Sequence, residues 1–400
     1  MMRKNILLLL ALLSCAAARG QQVKLKISNP SPRQRQEVVS ADARQVYRML
    51  GLHHGDPVRV FTPRGVQTDW QITSDSLLLV YVTVRPHAQT EYVVRPGKPE
   101  PMTTWTTGAL YPQRLDDMAW ENDLIAYRAY GPALQRTGEQ SFGIDLWVKN
   151  TPSPVVADRY RMEEEGNRLK KEVKGDSLML AHSYHVDHGH GYDPYSVGAT
   201  LGCGAPALML GDSLVMPYCF KEYKILDNGP LRFTVDLTYG TVTYGSDKVT
   251  EHRLISLDRG THFNRISVRY DGLSRPASVA AGFVVHQDDH SELVVTADRA
   301  LYADPTDQRD NNQCQVYVGG YFPEAQQVRY IPLGTPRSGA VGHAVGITTL
   351  SDGKPYTYYT GAAWSGYDVR TFTQWQTVVD ETIDNLRNPL SVTCIYEPKR

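Results

Sequence analysis

Segments in which apolar and polar residues alternate recur along most of the chain, and they constrain its fold more than any other feature. They are rich in Val, Thr and Tyr, and turn sequences such as TPRG and LSDGKP separate them, as is typical of β-strands. The clearest strand segments are 22–28, 56–61, 77–84, 90–96, 232–245, 250–272, 277–287 and 291–298. Long strands with few helices predict an all-β fold in which two large antiparallel sheets pack face to face.

Helical periodicity is confined to a few places, and the clearest is near the C-terminus. The segment 371–387 places Trp375 and other apolar residues on one helical face, and Thr371 or Thr373 can cap its start. No low-complexity linker divides the chain. We therefore predict that residues 21–400 form a single β-sandwich domain that carries this C-terminal helix.

Residues 1–20 have the order of a secretory signal, with a basic start, an apolar run over 6–13 and then small residues. The apolar run is too short to span a bilayer comfortably. Two processing routes are open, which are cleavage after Gly20 and attachment of a lipid at Cys15 in the sequence LLSC. Both predict an exported protein, periplasmic or secreted, without a transmembrane segment.

Charge and cysteine content narrow the possible partners. The chain has 42 Lys and Arg against 43 Asp and Glu, so no excess of positive charge favours nucleic acid. The charged stretch 151–176 is typical of a solvent-exposed excursion or a short helix. Four cysteines follow the signal, Cys203, Cys219, Cys314 and Cys394, without a C-x-x-C pair. Because export permits disulfides, Cys203 and Cys219 are the local pair to test for one.

The sequence HSYHVDHGHGYDPYSVG, 182–198, places four of the twelve histidines within nine residues. On a β-strand, His188 and His190 would share one face, because side chains alternate. Such a pair could bind a divalent metal with a further ligand from His182, His185 or Asp187, and the two candidate metal ligands are therefore His188 and His190. Calcium bound by Asp187 and Asp193 is a further alternative. The cluster could equally bind a polar ligand, transfer a proton, or form structural hydrogen bonds.

A second polar group, RLDDMAWENDLIAYR, covers 114–128. Charges of both signs this close are often a salt-bridge lattice. In the functional alternative, Glu121 and Arg128 line a sugar groove and Trp120 supplies a flat platform for a pyranose. The planar guanidinium of Arg128 could pair with a uronate carboxylate through two parallel hydrogen bonds.

A third candidate is His286 in AGFVVHQDDH. A histidine within an apolar strand is usually a hydrogen-bonded core residue, although it can also project into a concave face as an acid or base. Tyr192 and Tyr195 could donate protons, although a tyrosine normally titrates near pH ~10.

Several stretches together resemble a bacterial family of uncharacterised proteins, domain of unknown function 4861. They are 111–132, 142–150, 184–208 and the tail from YYTGAAWSGY onwards. The family's members look like exported proteins encoded among polysaccharide-degrading enzymes. The resemblance implies a galactose-mutarotase-like supersandwich and a carbohydrate partner, but a fold by itself names no reaction.

These observations predict an exported carbohydrate-active enzyme, a lyase or a hydrolase, that acts on uronate-containing oligo- or polysaccharides in a sandwich groove. In β-elimination, Arg128 would neutralise the carboxylate, His188 would be the base and Tyr192 would protonate the leaving group. Hydrolysis would instead use Glu121 with Asp187 or Asp193. A sugar epimerase that uses His286 and a non-catalytic glycan-binding protein remain alternatives.

The candidate catalytic residues are His185, His188, Tyr192, His286 and Glu121. The candidate substrate-binding residues are Trp120, Arg128, Asp187, His190, Asp193 and Tyr195.

Overall fold

The computed structural model describes residues 21–173, 179–286, 292–305, 314–337 and 339–398. The predicted signal 1–20, with Cys15, lies outside them and stays a prediction. Every pair of neighbouring strands in the described sheets is antiparallel, so the predicted all-β antiparallel fold is confirmed.

The strands are numbered here in chain order over the described residues. They are β1 Gln22–Ser28, β2 Arg35–Asp42, β3 Val58–Phe61, β4 Trp70–Ile72, β5 Leu77–Val84, β6 Gln89–Pro96, β7 Thr107–Tyr111, β8 Asp117–Glu121, β9 Ile125–Ala129, β10 Ile144–Val148, β11 Cys203–Leu210, β12 Ser213–Val215, β13 Phe220–Asn228, β14 Arg232–Tyr239, β15 Val242–Tyr244, β16 Asp247–Asp258, β17 Phe263–Asp271, β18 Ala277–Val285, β19 Leu293–Val295, β20 Arg299–Asp304, β21 Val316–Tyr321, β22 Gln327–Arg337, β23 Ala340–Leu350, β24 Tyr356–Trp364 and β25 Ser391–Glu397. The helices are α1 Ala43–Leu50, α2 Pro132–Thr137, α3 Val156–Val173 and α4 Phe372–Arg387, with a 3₁₀ turn at Pro112–Arg114.

A small sandwich joins the two ends of the described chain. Its sheets run β25-β1-β6-β3 and β2-β5-β4, and the last strand pairs with the first along its whole length. Apolar side chains from both sheets and from α1 form one hydrophobic core. The helix α1 begins where the Asp42 side chain accepts a hydrogen bond from the Gln45 amide at 3.2 Å, and it ends at Gly51 with a left-handed φ of 63°.

The large sandwich has two layers. One layer is a nine-stranded sheet of order β13-β14-β16-β17-β24-β21-β20-β19, to which β15 adds through β16. The facing layer consists of the sheets β10-β9-β8-β7 and β12-β11-β18-β23-β22, which a parallel bridge between Ile144 and Gly202 joins edge to edge. Alternating apolar residues of both layers form a second, larger core. Within the described part of the segment predicted to be a single domain, 21–400, the small and the large sandwich thus have separate main cores.

Two helices cover the outer faces of the large sandwich. The helix α4 begins after Thr371, whose side chain accepts from the Gln374 amide at 3.2 Å, and its Trp375 stacks on Phe263 of β17 with a ring separation of 5.4 Å. On the other layer, α3 lies over β8 and β10, where Tyr160 packs against Trp147. In the described part of the chain, no helix is long and apolar enough to cross a membrane.

The two cysteines named as a possible disulfide are both free and buried. The Cys203 sulfur lies 3.9 Å from the Gly361 carbonyl oxygen, whereas the Cys219 sulfur lies 3.8 Å from that of Ser141. The disulfide suggested from their spacing was wrong, because each thiol packs against a different backbone carbonyl.

Candidate functional site

The histidine-rich segment 182–190 forms consecutive turns, so the strand geometry predicted for it was wrong. The Asp187 carboxylate accepts hydrogen bonds from the Gly189 and Gly191 amides at 2.8 and 2.9 Å. These glycines have φ values of 95° and 88°. A carboxylate that binds the backbone two and four residues ahead favours a turn over an extended strand.

The turns are held against the sheet below them. Arg159 of α3 donates one guanidinium nitrogen to the Val148 carbonyl at 2.8 Å and to the His190 carbonyl at 2.6 Å. A Cβ added at Gly191 would lie 2.1 Å from the Val148 oxygen, so the loop approaches the strand too closely for any side chain there. The histidine-bearing loop is therefore anchored, although it is at the surface.

The histidines of this loop point in different directions. The His188 Nε2 lies 2.9 Å from the Ser183 carbonyl oxygen. The His190 Nδ1 is buried without a hydrogen-bond partner, and burial, together with Arg159, lowers the pKa of this imidazole. In the described ranges, which include the whole loop, no group of three or more His, Cys, Asp or Glu side chains is placed to hold a metal ion. The predicted metal site required His188 and His190 to share one face of a strand. The loop geometry does not provide that arrangement.

Arg128 of β9 lies beneath the loop and is enclosed by carboxylates. Its Nε donates to Asp145 at 2.9 Å, and its terminal nitrogens reach Asp193 at 3.0 Å and Asp117 at 3.3 Å. The Arg128 side chain is 5% exposed and the three carboxylates are 0–1% exposed. Protein carboxylates therefore already pair with the guanidinium that was predicted to bind a uronate.

Aromatic rings close the same cluster. The Arg128 guanidinium carbon lies 5.0 Å from the Trp147 ring centre and 5.5 Å from that of Tyr184. Burial raises the pKa of Asp117 and of Asp193, and Arg128 opposes this increase at both carboxyls. Asp145 adds to the increase at Asp193, because two negative charges are confined in one low-dielectric site.

His185 is the one predicted catalytic histidine that combines exposure with a defined orientation. Its side chain is 59% exposed, and its Nδ1 lies 3.2 Å from the Asp193 carbonyl oxygen and 3.6 Å from the Asp193 carboxylate. The described residues form no hydrogen bond to its Nε2. Arg128 thus positions Asp193, and Asp193 orients His185, leaving one imidazole nitrogen open to solvent.

Glu121 and Trp120 serve the scaffold. The Glu121 carboxylate, 1% exposed, accepts from Lys149 Nζ at 2.6 Å and from the Val156 amide at 2.8 Å, so it anchors the start of α3. Trp120 is fully buried on the opposite face of β8, where its Nε1 donates to Asn264 at 2.8 Å. In this structure neither side chain is available to line a sugar groove, because α3 and the core cover the two faces.

His286 forms a second histidine–aspartate pair. Its Nδ1 lies 2.8 Å from the Asp304 carboxylate and its Nε2 lies 2.8 Å from the Ser196 carbonyl oxygen. Burial lowers the pKa of His286, but the Asp304 carboxylate and the Ser196 carbonyl together outweigh burial, and the pKa is raised overall. Both nitrogens face acceptors, so this imidazole has no free nitrogen for a substrate.

The two predicted tyrosines are both buried, and Tyr195 lies beside this pair. Tyr195 meets the His286 ring edge-to-face at 5.5 Å, and its hydroxyl is buried without a hydrogen-bond partner. Tyr192 packs edge-to-face on Trp364 at 6.0 Å. The segment 184–197 therefore contributes Asp193 and His185 to a cluster with Arg128. It also places Tyr195 beside His286. The side chains of Glu121 and Trp120 contact other parts of the protein.

A cleft that the sequence did not indicate lies elsewhere on the molecule. Its cavity of about 530 Å³ is bounded by β2, by α4 and by the outer face of β16, β17 and β24. None of the predicted site residues lines it. Its only sequence signal is the alternation of polar residues on the outer face of strands such as HFNRISVRY, which is also the ordinary pattern of a solvated sheet face.

Two comparisons with known proteins match most of this chain. The family described as "Domain of unknown function (DUF4861)" matches residues 27–392. The uncharacterised protein P7 of Formosa agariphila is 25% identical over 376 residues, which cover 86% of this chain and 87% of that protein.

Two solved structures from Enterococcus faecalis are similar in shape. An α-mannosidase matches 95% of this chain with 9% identity and a TM-score of 0.50, and a glycosyl hydrolase family 38 protein matches 95% with 8% identity and a TM-score of 0.48. This chain covers 46% and 48% of those two chains, so it spans about half their length. At this identity the α-mannosidase likeness concerns the fold alone.

Proposed function

The chain belongs to the DUF4861 family, and we propose that it is an exported carbohydrate-active enzyme that uses His185 for acid–base chemistry on acidic glycans. One observation carries the proposal, which is the exposed imidazole whose Nδ1 is oriented by the buried Asp193. The Nδ1 contact with the Asp193 backbone carbonyl at 3.2 Å, with the carboxylate of the same residue 3.6 Å away, fixes the ring and leaves the other nitrogen to exchange a proton.

The carbohydrate class has weaker support, which comes from architecture. The fold is similar to half of a protein described as an α-mannosidase. One fold can support several different reactions. The structural similarity to the α-mannosidase therefore supports a sugar substrate but does not identify a reaction. The acidic character of the glycan is a proposal from the residue types of the sequence.

The reaction that best suits a single oriented histidine is β-elimination at a uronate. His185 Nε2 would take the proton from C5, the electron pair would form the C4–C5 double bond, and the C4–oxygen bond would break. The departing oxygen then takes up a proton from the His185 imidazolium, directly or through water, so the products are an unsaturated uronate and a new hydroxyl end. Arg128 is a positioning residue here, because it acts on His185 only through Asp193.

Hydrolysis by two carboxylates has less geometric support. Glu121 is bound to Lys149 and to the backbone of α3, and Asp187 holds the turn at Gly189. Asp193 is buried beside Arg128. The predicted carboxylate pairs are therefore committed to protein contacts and lack the open space that a sugar and a water need between them.

The test is incubation with a panel of uronate oligosaccharides, with the ultraviolet absorbance of the unsaturated product and new reducing ends measured in parallel. We expect elimination by the native protein, loss of at least about a hundredfold in rate for His185→Asn, and native activity for His53→Asn. His53 is a fair control because its side chain is 99% exposed. Reducing ends without absorbance would replace elimination by hydrolysis, and binding without turnover would leave a glycan-binding protein.

Export is a separate part of the proposal. We expect the protein outside the cytoplasm when the full chain is expressed in a bacterial host, and cytoplasmic when residues 1–20 are deleted. A Cys15→Ala variant that moves from the membrane fraction to the soluble exported fraction would identify lipid attachment. Unchanged location of the deletion variant would contradict a signal at the N-terminus.

A further inference from the structure

The cleft beside α4 is a built cavity whose walls come from both sandwiches. The segment 35–38 of β2 and the residues Asp75 and Leu77 form one wall, and α4 forms the opposite wall through Val378, Thr382 and Leu386. The floor is the outer face of the nine-stranded sheet. Its volume, about 530 Å³, falls within the range of small-ligand sites.

The floor carries a row of polar side chains in register across three strands. Ser256 of β16 pairs with Arg265 of β17, and Arg265 pairs with Tyr359 of β24. Neighbours in one register project from the same face, so their side chains lie side by side. The Tyr359 ring stacks on its register partner on β21, Tyr321, with ring centres 5.9 Å apart and an interplanar angle of 23°. The row presents a hydroxyl, a guanidinium and a partly exposed aromatic ring to the cavity.

The arginines of the cleft differ in how they are paired. Arg35 contacts Glu37 at 2.7 Å, and Arg232 contacts Asp258 through two hydrogen bonds of 2.6 and 2.8 Å. Arg265 is exposed and has no carboxylate partner among the described residues. Protein carboxylates thus pair with Arg35 and Arg232, whereas the Arg265 guanidinium lines the cavity without such a partner among the described residues.

A second arginine stiffens the same cleft. The Arg259 guanidinium carbon lies 4.0 Å from the Tyr81 ring centre and 3.7 Å from that of Trp105, so the group is held between two rings. Its Nε is buried without a hydrogen-bond partner, and its nearest carboxylates, Asp69 and Asp123, lie at 3.6 and 3.8 Å. The guanidinium is therefore fixed in place with donor capacity that the protein leaves unused.

We propose that this cleft binds a carboxylated sugar residue of an oligosaccharide, with Arg265 pairing the carboxylate, Tyr359 contacting the pyranose face, and Ser256 and Thr382 contacting hydroxyl groups. The sugar class follows the proposed function, but the site is distinct from His185. The cleft also contains Glu37, Asp75 and Asp258, which disfavour a densely charged polyphosphate or nucleic acid. One carboxylate per sugar, with many hydroxyls, fits this mixture of charges.

The test measures binding of a glucuronate-containing tetrasaccharide by calorimetry, beside the same tetrasaccharide with its carboxyl groups reduced to alcohols. We expect Arg265→Ala to weaken binding of the acidic form by about tenfold or more, because a charge-assisted pair is lost. Arg269→Ala is the matched control. Arg269 lies on the same strand and face, and it is paired with Asp271 at 2.6 Å outside the cleft. The control and the reduced sugar should show no such difference.

Equal affinity of the native protein and Arg265→Ala for the acidic form would overturn the proposal, as would complete displacement by inorganic sulfate at equal concentration. The two proposals fail separately when His185→Asn is included. If this variant binds like the native protein but has lost turnover, both stand. Binding that depends on Arg265 in a protein without any turnover supports the cleft and contradicts the enzyme. Turnover together with binding that does not depend on Arg265 supports the enzyme and contradicts the cleft.

Discussion

Replacement of Arg128 by methionine tests whether the buried charge cluster holds the histidine loop in place. The substitution keeps a long apolar stem but leaves Asp117, Asp145 and Asp193 buried without their shared cation. Removal of one partner from a buried pair typically costs about 3–5 kcal/mol. Because three carboxylates that are 0–1% exposed lose the same partner, we expect the upper end of that range, about 5 kcal/mol.

The assay is urea unfolding followed by tryptophan fluorescence, since the Trp147 ring lies 5.0 Å from the Arg128 guanidinium. The control is Arg269→Met, which breaks an ion pair whose side chains are 40% and 46% exposed, and we expect it to cost less than about 1 kcal/mol. If Arg128→Met does not fold, Arg128→Lys retains the charge and should show a smaller loss of stability in the same direction.

The dependence on pH gives this prediction a second signature. Burial raises the pKa of Asp117 and Asp193, and Arg128 opposes the increase. A carboxyl whose folded pKa is raised gives its full stabilisation below its unfolded pKa, near ~3.9, and loses it as the pH rises through the folded pKa. Without Arg128 both folded pKa values rise further, so the deficit of the variant should grow from acid to neutral pH. A deficit below about 1 kcal/mol at neutral pH, or one independent of pH, would refute the reasoning.

Three further substitutions probe other parts of the same scaffold. Glu121→Ala should destabilise the protein by about 3–5 kcal/mol in urea unfolding, because Lys149 is left buried without its carboxylate; a loss as small as that of an exposed-residue control would contradict the anchoring role. Gly191→Ala should increase the proteolysis of the loop and lower activity, because the new Cβ would lie 2.1 Å from the Val148 oxygen; unchanged proteolysis would refute it. Asp304→Asn should lower the pKa of His286 in NMR titration, and the stability that this imidazolium gives the native protein should be lost as the pH rises through its raised pKa; an unchanged titration would separate His286 from Asp304.

The periodicity of apolar residues was sufficient to predict a strand or helix where one face of that element packs against a core. In β17, Ile266 and Val268 are buried while Arg265 lies outside, as the alternation predicts. The C-terminal helix α4 likewise follows its periodicity and its cap at Thr371. The charged stretch 151–176 gave less information, because α3 within it is held by distant contacts, among them the Glu121 carboxylate at its first turn. Such contacts leave no periodic trace in the helix itself.

The candidate site was harder to predict, since outward-facing polar residues on a strand normally meet water. Arg128 and Asp145 do point away from the large core, as alternation requires. A loop 65 residues further along the chain then covers them, and the pair of Arg128 with Asp193 forms across that separation. The histidine segment itself alternates like a strand, but Asp187 and two glycines with positive φ turn it. The residue types of the cluster could therefore be predicted from the sequence, but the burial of their side chains could not.

The existence of the cleft was even harder to predict than the candidate site, because the cleft is formed by the connection of distant strands and helices. Its floor residue Arg265, its wall at 35–38 and its wall on α4 are far apart in sequence, so no local motif could connect them. They meet because β25, which follows α4, returns to pair with β1 and completes the small sandwich. The hydrogen bond from Arg35 to the Asn388 carbonyl at the end of α4 fixes the same junction. The first and last described strands thus create a cavity over a sheet face that would otherwise be an ordinary solvated surface, so the polar row of that face carries the ordinary sequence pattern of a solvated face.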